Sequence, residues 1–427
     1  MARIGFLVLY ATGHLNPSIA LARGLAQRGH EVVFFNVPDV GAAIESAGLG
    51  FVPFAEQEYP PGTLRETTRK IGELTGAASF AYFIERMSLL TRVSFQYLPA
   101  LLAANRPDLL IIDQLFPGAS TVADHLGIPF VSIANALIVN SDHSVPPPTL
   151  PWPYDPADAA VARNAQGWAG TLKAFDPLLA LVNAQREKWS LPPCSNFLND
   201  SFSTRAQISQ QPAFFEFPRA SQPATLHFVG PLQDDMPARE IPFPWEKLDG
   251  RPLIYASLGT LQNRLESVFR AIIEACAPLP AQTVIALGKD ALAPELFGEV
   301  AENILLVPFA PQSRLLARAS LCITHAGLNT ALDCLVHGVP MVAMPIASEQ
   351  PGVAMRVAYL GAGVVLPLAE VNAESLGTAI SKVWTDPAYR EAADNAAQQL
   401  KALHPVDHAV RIVEATLAEV AARSTPA

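Results

Sequence analysis

The chain has 427 residues, half of them hydrophobic and 16% charged, with a formal net charge of −10. That length exceeds one ordinary core and predicts two domains, and the composition excludes a disordered chain. No Lys/Arg block offsets the negative charge, which argues against nucleic acid or an anionic membrane surface as a partner.

The chain opens with "MARIGFLVLYATGHLNP", one Arg followed by an apolar run. The run is short and no cleavage site precedes the polar "GHLNP", so it reads as a buried first strand rather than a signal peptide. Over residues 17–28, Ile19, Ala22, Leu25 and Ala26 recur at helical spacing; Pro17 suits a first turn and Gly29 a C-cap. "EVVFF" is the next strand, followed by a small-residue helix ending at Gly48 and the strand "FVPF". "DLLIID", a helix over about residues 117–126 and "PFVSIA" continue the alternation. Residues 57–105, which include "SFAYFIERM", are less regular, and residues 144–156 read as a Pro-rich irregular loop. Continuous apolar strands separated by helices predict a parallel sheet covered on both faces.

Residues 230–252, "GPLQDDMPAREIPFPWEKLDGRP", are polar, Pro-rich and patternless, as a linker is. The predicted division is therefore a first domain over 1–229, a linker over 230–252 and a second domain over 253–427. In the second, "LIYASLGT", "QTVIAL", "NILLVPF", "LCIT" and "MVAM" read as strands and "LESVFRAIIEAC" as a helix. From about residue 372 to 422 the pattern is helical, with a break at Pro405. No uncharged apolar stretch reaches spanning length. The four scattered cysteines lack zinc spacing and fit a reducing cytoplasm.

In open parallel sheets, ligands sit beyond the carboxyl ends of strands. "SLGT" (257–260), "FAPQ" (309–312) and "THAGLNT" (324–330) all fall at such ends. The N-terminus of the helix after His325 offers unpaired N–H groups and a positive dipole end, which favour phosphate. Gly327 permits close backbone approach, Asn329 and Thr330 carry donors, and Asp333 lies one turn on, suited to sugar hydroxyls. The knot reads as a diphosphate cradle with a ribose hook; the same residues also fit a capped helix with a buried His.

In the first half, His14 in "YATGHLNP" is the first polar side chain expected to point into a cleft at the end of a strand and suits a general base, since an imidazole titrates near neutrality. Asp113, at the end of "DLLIID", is placed to orient it and to balance the imidazolium charge. A packing role for His14 and an N-cap role for Asp113 are the structural alternatives. His30, His125, His337, His404 and His408 read as caps, surface or packing residues, His143 lies in a loop expected to border the acceptor, and Phe80, Tyr82 and Phe83 read as core, with a ligand wall as the alternative.

The stretch "FAPQSRLLARASLCITHAGLNTALDCLVHGVPMVAMPIASEQPGVAMRV" resembles the donor-binding signature of family 1 UDP-dependent glycosyltransferases; "THAGLNT", "GVPMVA" and "QPGVA" are closest in pattern to bacterial zeaxanthin glucosyltransferases. The distant "SLGT" and "GHLNP" match as well. The resemblance implies an α/β chain of the GT-B fold, two Rossmann-like doubly wound domains facing across a cleft. It implies that Phe309 stacks on uracil, where many relatives have Trp, and that Gln312 lies near the uridine. It implies that Ser257, Gly259, Thr260, His325, Gly327, Asn329 and Thr330 hold the diphosphate. Asp333, where many relatives have Glu, would meet the ribose. Glu349, where relatives often have Asp, and Gln350 would read hexose hydroxyls. His14 would be the base and Asp113 its partner.

The expected activity is inverting, metal-independent transfer of a hexose from UDP-glucose to a hydroxyl of an apolar small molecule, such as a carotenoid or terpenoid alcohol, releasing UDP. No cofactor or metal is expected, and a cytoplasmic monomer or weak dimer is, with peripheral membrane contact left open. Phenolics such as flavonoids are the alternative acceptors. A UDP-sugar-binding protein without transferase activity is the rival of another class. A nicotinamide-dependent oxidoreductase is disfavoured, because no "GxGxxG" follows a strand.

Overall fold

The computed structural model describes residues 1–74, 76–233, 241–261, 263–288 and 292–424. Seven strands build a first sheet: β1 (Arg3–Leu7), β2 (Glu31–Asn36), β3 (Gly50–Pro53), β4 (Leu109–Asp113), β5 (Phe130–Ala134), β6 (Gln207–Ser209) and β7 (Leu226–Phe228), in the order β3-β2-β1-β4-β5-β6-β7. Six build a second: β8 (Leu253–Ser257), β9 (Gln282–Ala286), β10 (Ile304–Val307), β11 (Ala319–Thr324), β12 (Met341–Ala343) and β13 (Gly363–Val365), in the order β10-β9-β8-β11-β12-β13. Every pairing is parallel. The apolar strands predict the parallel sheets, and the resemblance the α/β, doubly wound arrangement, which is present twice over. The strand order reverses between β1 and β4 in one sheet and between β8 and β11 in the other, and those reversals are where doubly wound sheets open a crevice.

The first half carries α1 (Thr12–Gln27), α2 (Gly41–Ser46), α3 (Thr63–Glu73), α4 (Gly76–Asn105), α5 (Ala119–Leu126), α6 (Asp158–Ala174), α7 (Asp176–Lys188) and α8 (Phe197–Asp200). The second carries α9 (Glu266–Cys276), α10 (Gln312–Leu316), α11 (Leu328–Val336), α12 (Gln350–Tyr359), α13 (Ala373–Thr385), α14 (Pro387–Lys401) and α15 (Pro405–Ser424). One apolar cluster fills each face of each sheet. Ala409, Val410 and Val413 of α15 join the cluster of Ile4, Phe6 and Leu21, so the last helix returns to the first sheet. Gly24 permits this approach, because a methyl there would stand 2.6 Å from Val406.

Three elements differ from the sequence reading. The stretch 57–105 is largely two helices, α3 and the 30-residue α4. Part of α4 is buried, with Leu90, Leu98 and Leu102 fully enclosed, so its apolar residues do not trace one clean stripe. α1 begins at Thr12, five residues before Pro17, and keeps the proline inside. α5 begins at Ala119 after the left-handed Gly118 rather than near residue 117. Of the expected linker, residues 234–240 lie outside the described residues; beyond them Trp245 is flanked by the guanidinium groups of Arg314 and Arg318, 4.5 and 4.7 Å from its ring.

The Pro-rich segment seats on the second half. The Gly352 N–H donates to the Pro148 carbonyl at 2.8 Å, and any side chain at Gly352 would collide with that backbone. One turn on, Arg356 pairs with Glu216 at 2.5 Å, both side chains buried. Tyr359 packs edge-on against Phe217. α12 thus belongs by sequence to the second sheet but is clasped by the first half.

Candidate active site

The reversal point of the first sheet places His14 and Asp113 together. His14 lies in the first turn of α1, immediately after β1, and Asp113 ends the adjacent β4. His14 Nδ1 stands 2.7 Å from Asp113 Oδ2. An ionised carboxylate only accepts, so Nδ1 carries the proton and Nε2 the lone pair. Asp113 is 1% exposed. Its Oδ2 also accepts from Asn135 Nδ2 at 2.9 Å, and its Oδ1 from the Leu115 N–H at 2.9 Å. Asn135 in turn donates to Ser18 Oγ at 3.0 Å, and Ser18 donates to the His14 carbonyl at 2.8 Å. Burial disfavours a charged imidazole, but the Asp113 charge and hydrogen bond outweigh it; with the Glu349 charge they raise the His14 pKa above its ordinary value.

The reversal point of the second sheet holds the Gly-containing turns. Ser257 ends β8, and its Oγ accepts from the Gly259 N–H at 3.2 Å. His325 leaves β11 and lays its ring between Gly259 and Gly327: a methyl on Gly259 would come within 2.5 Å of the ring. Both glycines therefore serve the imidazole as much as any ligand. His325 Nδ1 is buried without a partner, and burial pulls the pKa down to about 4, so the ring is neutral near pH 7. Ala326, next to it, holds φ 61, and Ser348 holds φ 57, left-handed conformations uncommon for non-glycine residues. Gly327 is the N-cap of α11.

Gln312, Thr330 and Asp333 converge. Gln312 Nε2 donates to Asp333 Oδ2 at 2.6 Å, and Thr330 Oγ1 to Gln312 Oε1 at 3.4 Å. Gln233 donates to the other Asp333 oxygen. Burial pushes the Asp333 pKa up to about 6, against the Gln312 hydrogen bond. Phe309 is 45% exposed and Thr260 is exposed. Glu349 is the N-cap residue of α12 yet makes no side-chain cap hydrogen bond. Gln350 spends its Oε1 on the Ile346 and Ala347 N–H groups, at 2.8 and 3.0 Å.

Asn329 sits differently from the expectation. Its Nδ2 donates to the Gly13 carbonyl at 2.9 Å, and its Oδ1 accepts from Gln210 Nε2 at 2.8 Å. Both ends of the amide are engaged by the first half. Gln210 also donates to the Asn135 carbonyl. Asn135, Ser18, Gln210 and Gln233 were not singled out from sequence. Asn135 and Gln210 do follow strands directly, the one available signal.

Beside β1, Arg86 of α4 buries Nε and Nη2 without a partner, 5.3 Å from the Tyr59 ring, with Tyr10 nearby. Among the described residues no group of three or more His, Cys, Asp and Glu is placed to hold a metal, and no helix is long and apolar enough to cross a membrane.

The model of the family described as UDP-glucoronosyl and UDP-glucosyl transferase matches residues 200–423. The zeaxanthin glucosyltransferase of Pantoea ananas is 34% identical over 357 residues, 82% of this chain and 81% of that protein. The zeaxanthin glucosyltransferase of Pseudescherichia vulneris is 34% identical over 411 residues, 93% of this chain and 94% of that protein. Among solved structures, the glycotransferase of kitacinnamycin superposes with a TM-score of 0.76 at 25% identity, covering 97% of this chain and 99% of that one.

Proposed function

The chain belongs to the UDP-glucoronosyl and UDP-glucosyl transferase family and is a glycosyltransferase of the GT-B fold, and from that premise we propose that it moves glucose from UDP-glucose to a hydroxyl of an apolar small molecule, with inversion and without a metal. The observation that carries this reading is the His14–Asp113 pair, 2.7 Å apart at the reversal point of the first sheet.

His14 Nε2 takes the acceptor proton as the hydroxyl oxygen attacks the anomeric carbon from the face opposite the diphosphate. Asp113 fixes the tautomer and balances the imidazolium that forms. UDP leaves toward the second half. There the first N–H groups of α11, Ser257, Thr260, the turns at Gly259 and Gly327, Thr330 and the neutral His325 ring meet the growing phosphate charge. The buried, unpartnered Nδ1 of His325 supports this assignment. The exposed Phe309 offers a face to uracil with Gln312 beside it, and Asp333 offers an acceptor to the ribose. Glu349 and Gln350 read the hexose.

For the acceptor we take a carotenoid or other terpenoid alcohol, on the strength of the two zeaxanthin glucosyltransferases. Product analysis with UDP-glucose and a panel of terpenoid alcohols and phenolics tests the whole reading. A β-glucoside of a terpenoid alcohol is the expected product. Binding of UDP-glucose with no UDP release in the presence of any acceptor would leave a UDP-sugar-binding protein instead.

A further inference from the structure

Pro17 lies inside α1, in the second turn. In an α-helix the N–H of residue 17 would bond the carbonyl of residue 13, and proline has no N–H. The Gly13 carbonyl therefore lacks its i+4 partner, one residue before His14. Asn329, from the turn that opens α11 in the other half, donates to that carbonyl at 2.9 Å. Its other end accepts from Gln210 at 2.8 Å. Gln210 holds the Asn135 carbonyl, and Asn135 donates to Asp113 Oδ2. The amide of one residue thus braces both members of the His14–Asp113 pair, through separate bonds.

We propose that Asn329 is a positioning residue: its side chain is a strut from the donor half that sets the His14–Asp113 geometry, and not a ligand of the diphosphate. The inference rests on the reading of His14 as base. A proline fixed in the "GHLNP" turn opens the carbonyl, and "THAGLNT" fills it from the far side of the chain. A half-buried carbonyl gains from a partner, and the Asn329 amide supplies one while joining the two halves at the reacting centre. The backbone N–H groups at the start of α11 stay available for phosphate, because the strut uses only the side chain.

Four proteins test this: wild type, Asn329→Ala, Pro17→Ala and the double variant. Asn329→Ala should lower kcat about tenfold or more, since small misplacements of a reacting group are expensive, with the Kd for UDP within about twofold of wild type. Pro17→Ala restores a backbone N–H for the Gly13 carbonyl, so the double variant should recover much of the lost kcat. Urea unfolding should show the same coupling, with the double variant losing less stability than the two single losses added together. A raised Kd for UDP with kcat retained in Asn329→Ala would make the residue a diphosphate ligand and overturn the proposal. Strict additivity of the two substitutions in both kcat and unfolding would also overturn it. The two readings fail differently: a misassigned base leaves His14→Ala active while the unfolding coupling persists.

Discussion

A methyl group on Gly327 would stand 2.8 Å from Cε1 of His325 and closer still to Nε2. The backbone there is ordinary for any residue, φ −63 and ψ 137, so the collision with the ring is the whole objection to a side chain. Gly327→Ala should cost about 1–3 kcal/mol by overpacking. His325→Ala introduced with it removes the obstacle and should return most of that stability. Urea midpoints of the three variants decide it, and a double variant no more stable than Gly327→Ala would show that the ring is not the cause.

His14→Ala should lower turnover with an aliphatic alcohol by about 10²–10⁴-fold, the usual range for a general base. UDP affinity, measured by calorimetry, should stay close to wild type, because the proposed nucleotide contacts all lie on the second sheet. An aliphatic alcohol is the right acceptor, since a phenol ionises with less help. Turnover near wild type would remove His14 from the mechanism.

The pH dependence follows from the same pair. The His14 pKa is raised despite burial because Asp113, with Glu349 behind it, favours the charged ring. The base form appears only as pH rises through that raised value, so the acid limb of kcat/KM should bend above about 6.5, the unperturbed histidine value. Asp113→Asn removes the dominant opposing charge and leaves the burial, so the bend should move down while turnover falls. For stability the sign is the same as for any raised histidine: the pair's contribution is full below the unfolded pKa and is lost as pH rises through the folded one. Coincident acid limbs in wild type and Asp113→Asn would contradict the pairing.

The parallel sheets were legible because their strands are buried on both faces and read as unbroken apolar runs, as "DLLIID" and "LIYAS" do. His14 and Asp113 were legible because each is a titratable group at or just beyond the carboxyl end of such a run. α4 was not, because much of it is enclosed and apolar residues recur around it instead of in one stripe. The role of Asn329 was hidden for a different reason. Its partners, Gly13 and Gln210, lie hundreds or scores of residues away, and no local spacing encodes a contact between halves. The glycine at 327 looked like room for a ligand; the structure also gives it a neighbour, the His325 ring.

Glu216 and Arg356 clasp α12 to the first half through a buried pair, and Gln211 and the Phe217 N–H complete the Glu216 carboxylate. Glu216→Gln leaves the buried Arg356 without its counter-charge and takes from Arg219 the nearer of two, Asp142 remaining. Breaking one side of such a pair costs about 3–5 kcal/mol, so the variant should unfold at markedly lower urea. Glu216→Gln with Arg356→Met should lose much less. Equal losses in the single and double variants would show that the pair is not a unit.

On the proposed reading, Glu349 decides donor choice. A carboxylate accepts from two neighbouring hexose hydroxyls, and a site built for a hydroxyl discriminates by about 1–3 kcal/mol or more when it is missing or inverted. The competing role, a cap for α12, lacks its hydrogen bond: Glu349 occupies the N-cap position and its side chain accepts nothing from the helix. Glu349→Ala should therefore leave the melting temperature nearly unchanged. It should reduce kcat/KM for UDP-glucose by about 10–100-fold, in line with that discrimination. Affinity for UDP alone should hold. Because the Glu349 charge also helps to raise the His14 pKa, the acid limb of the variant should move to lower pH as well. UDP-galactose, with one hydroxyl inverted, should be the poorer donor for the wild type and should lose less than UDP-glucose on substitution. Steady-state kinetics with both donors on both proteins measures each of these. Equal efficiency with the two donors in the wild type would rule out glucose as the selected sugar, and a large drop in melting temperature with unaltered donor preference would return Glu349 to a structural role.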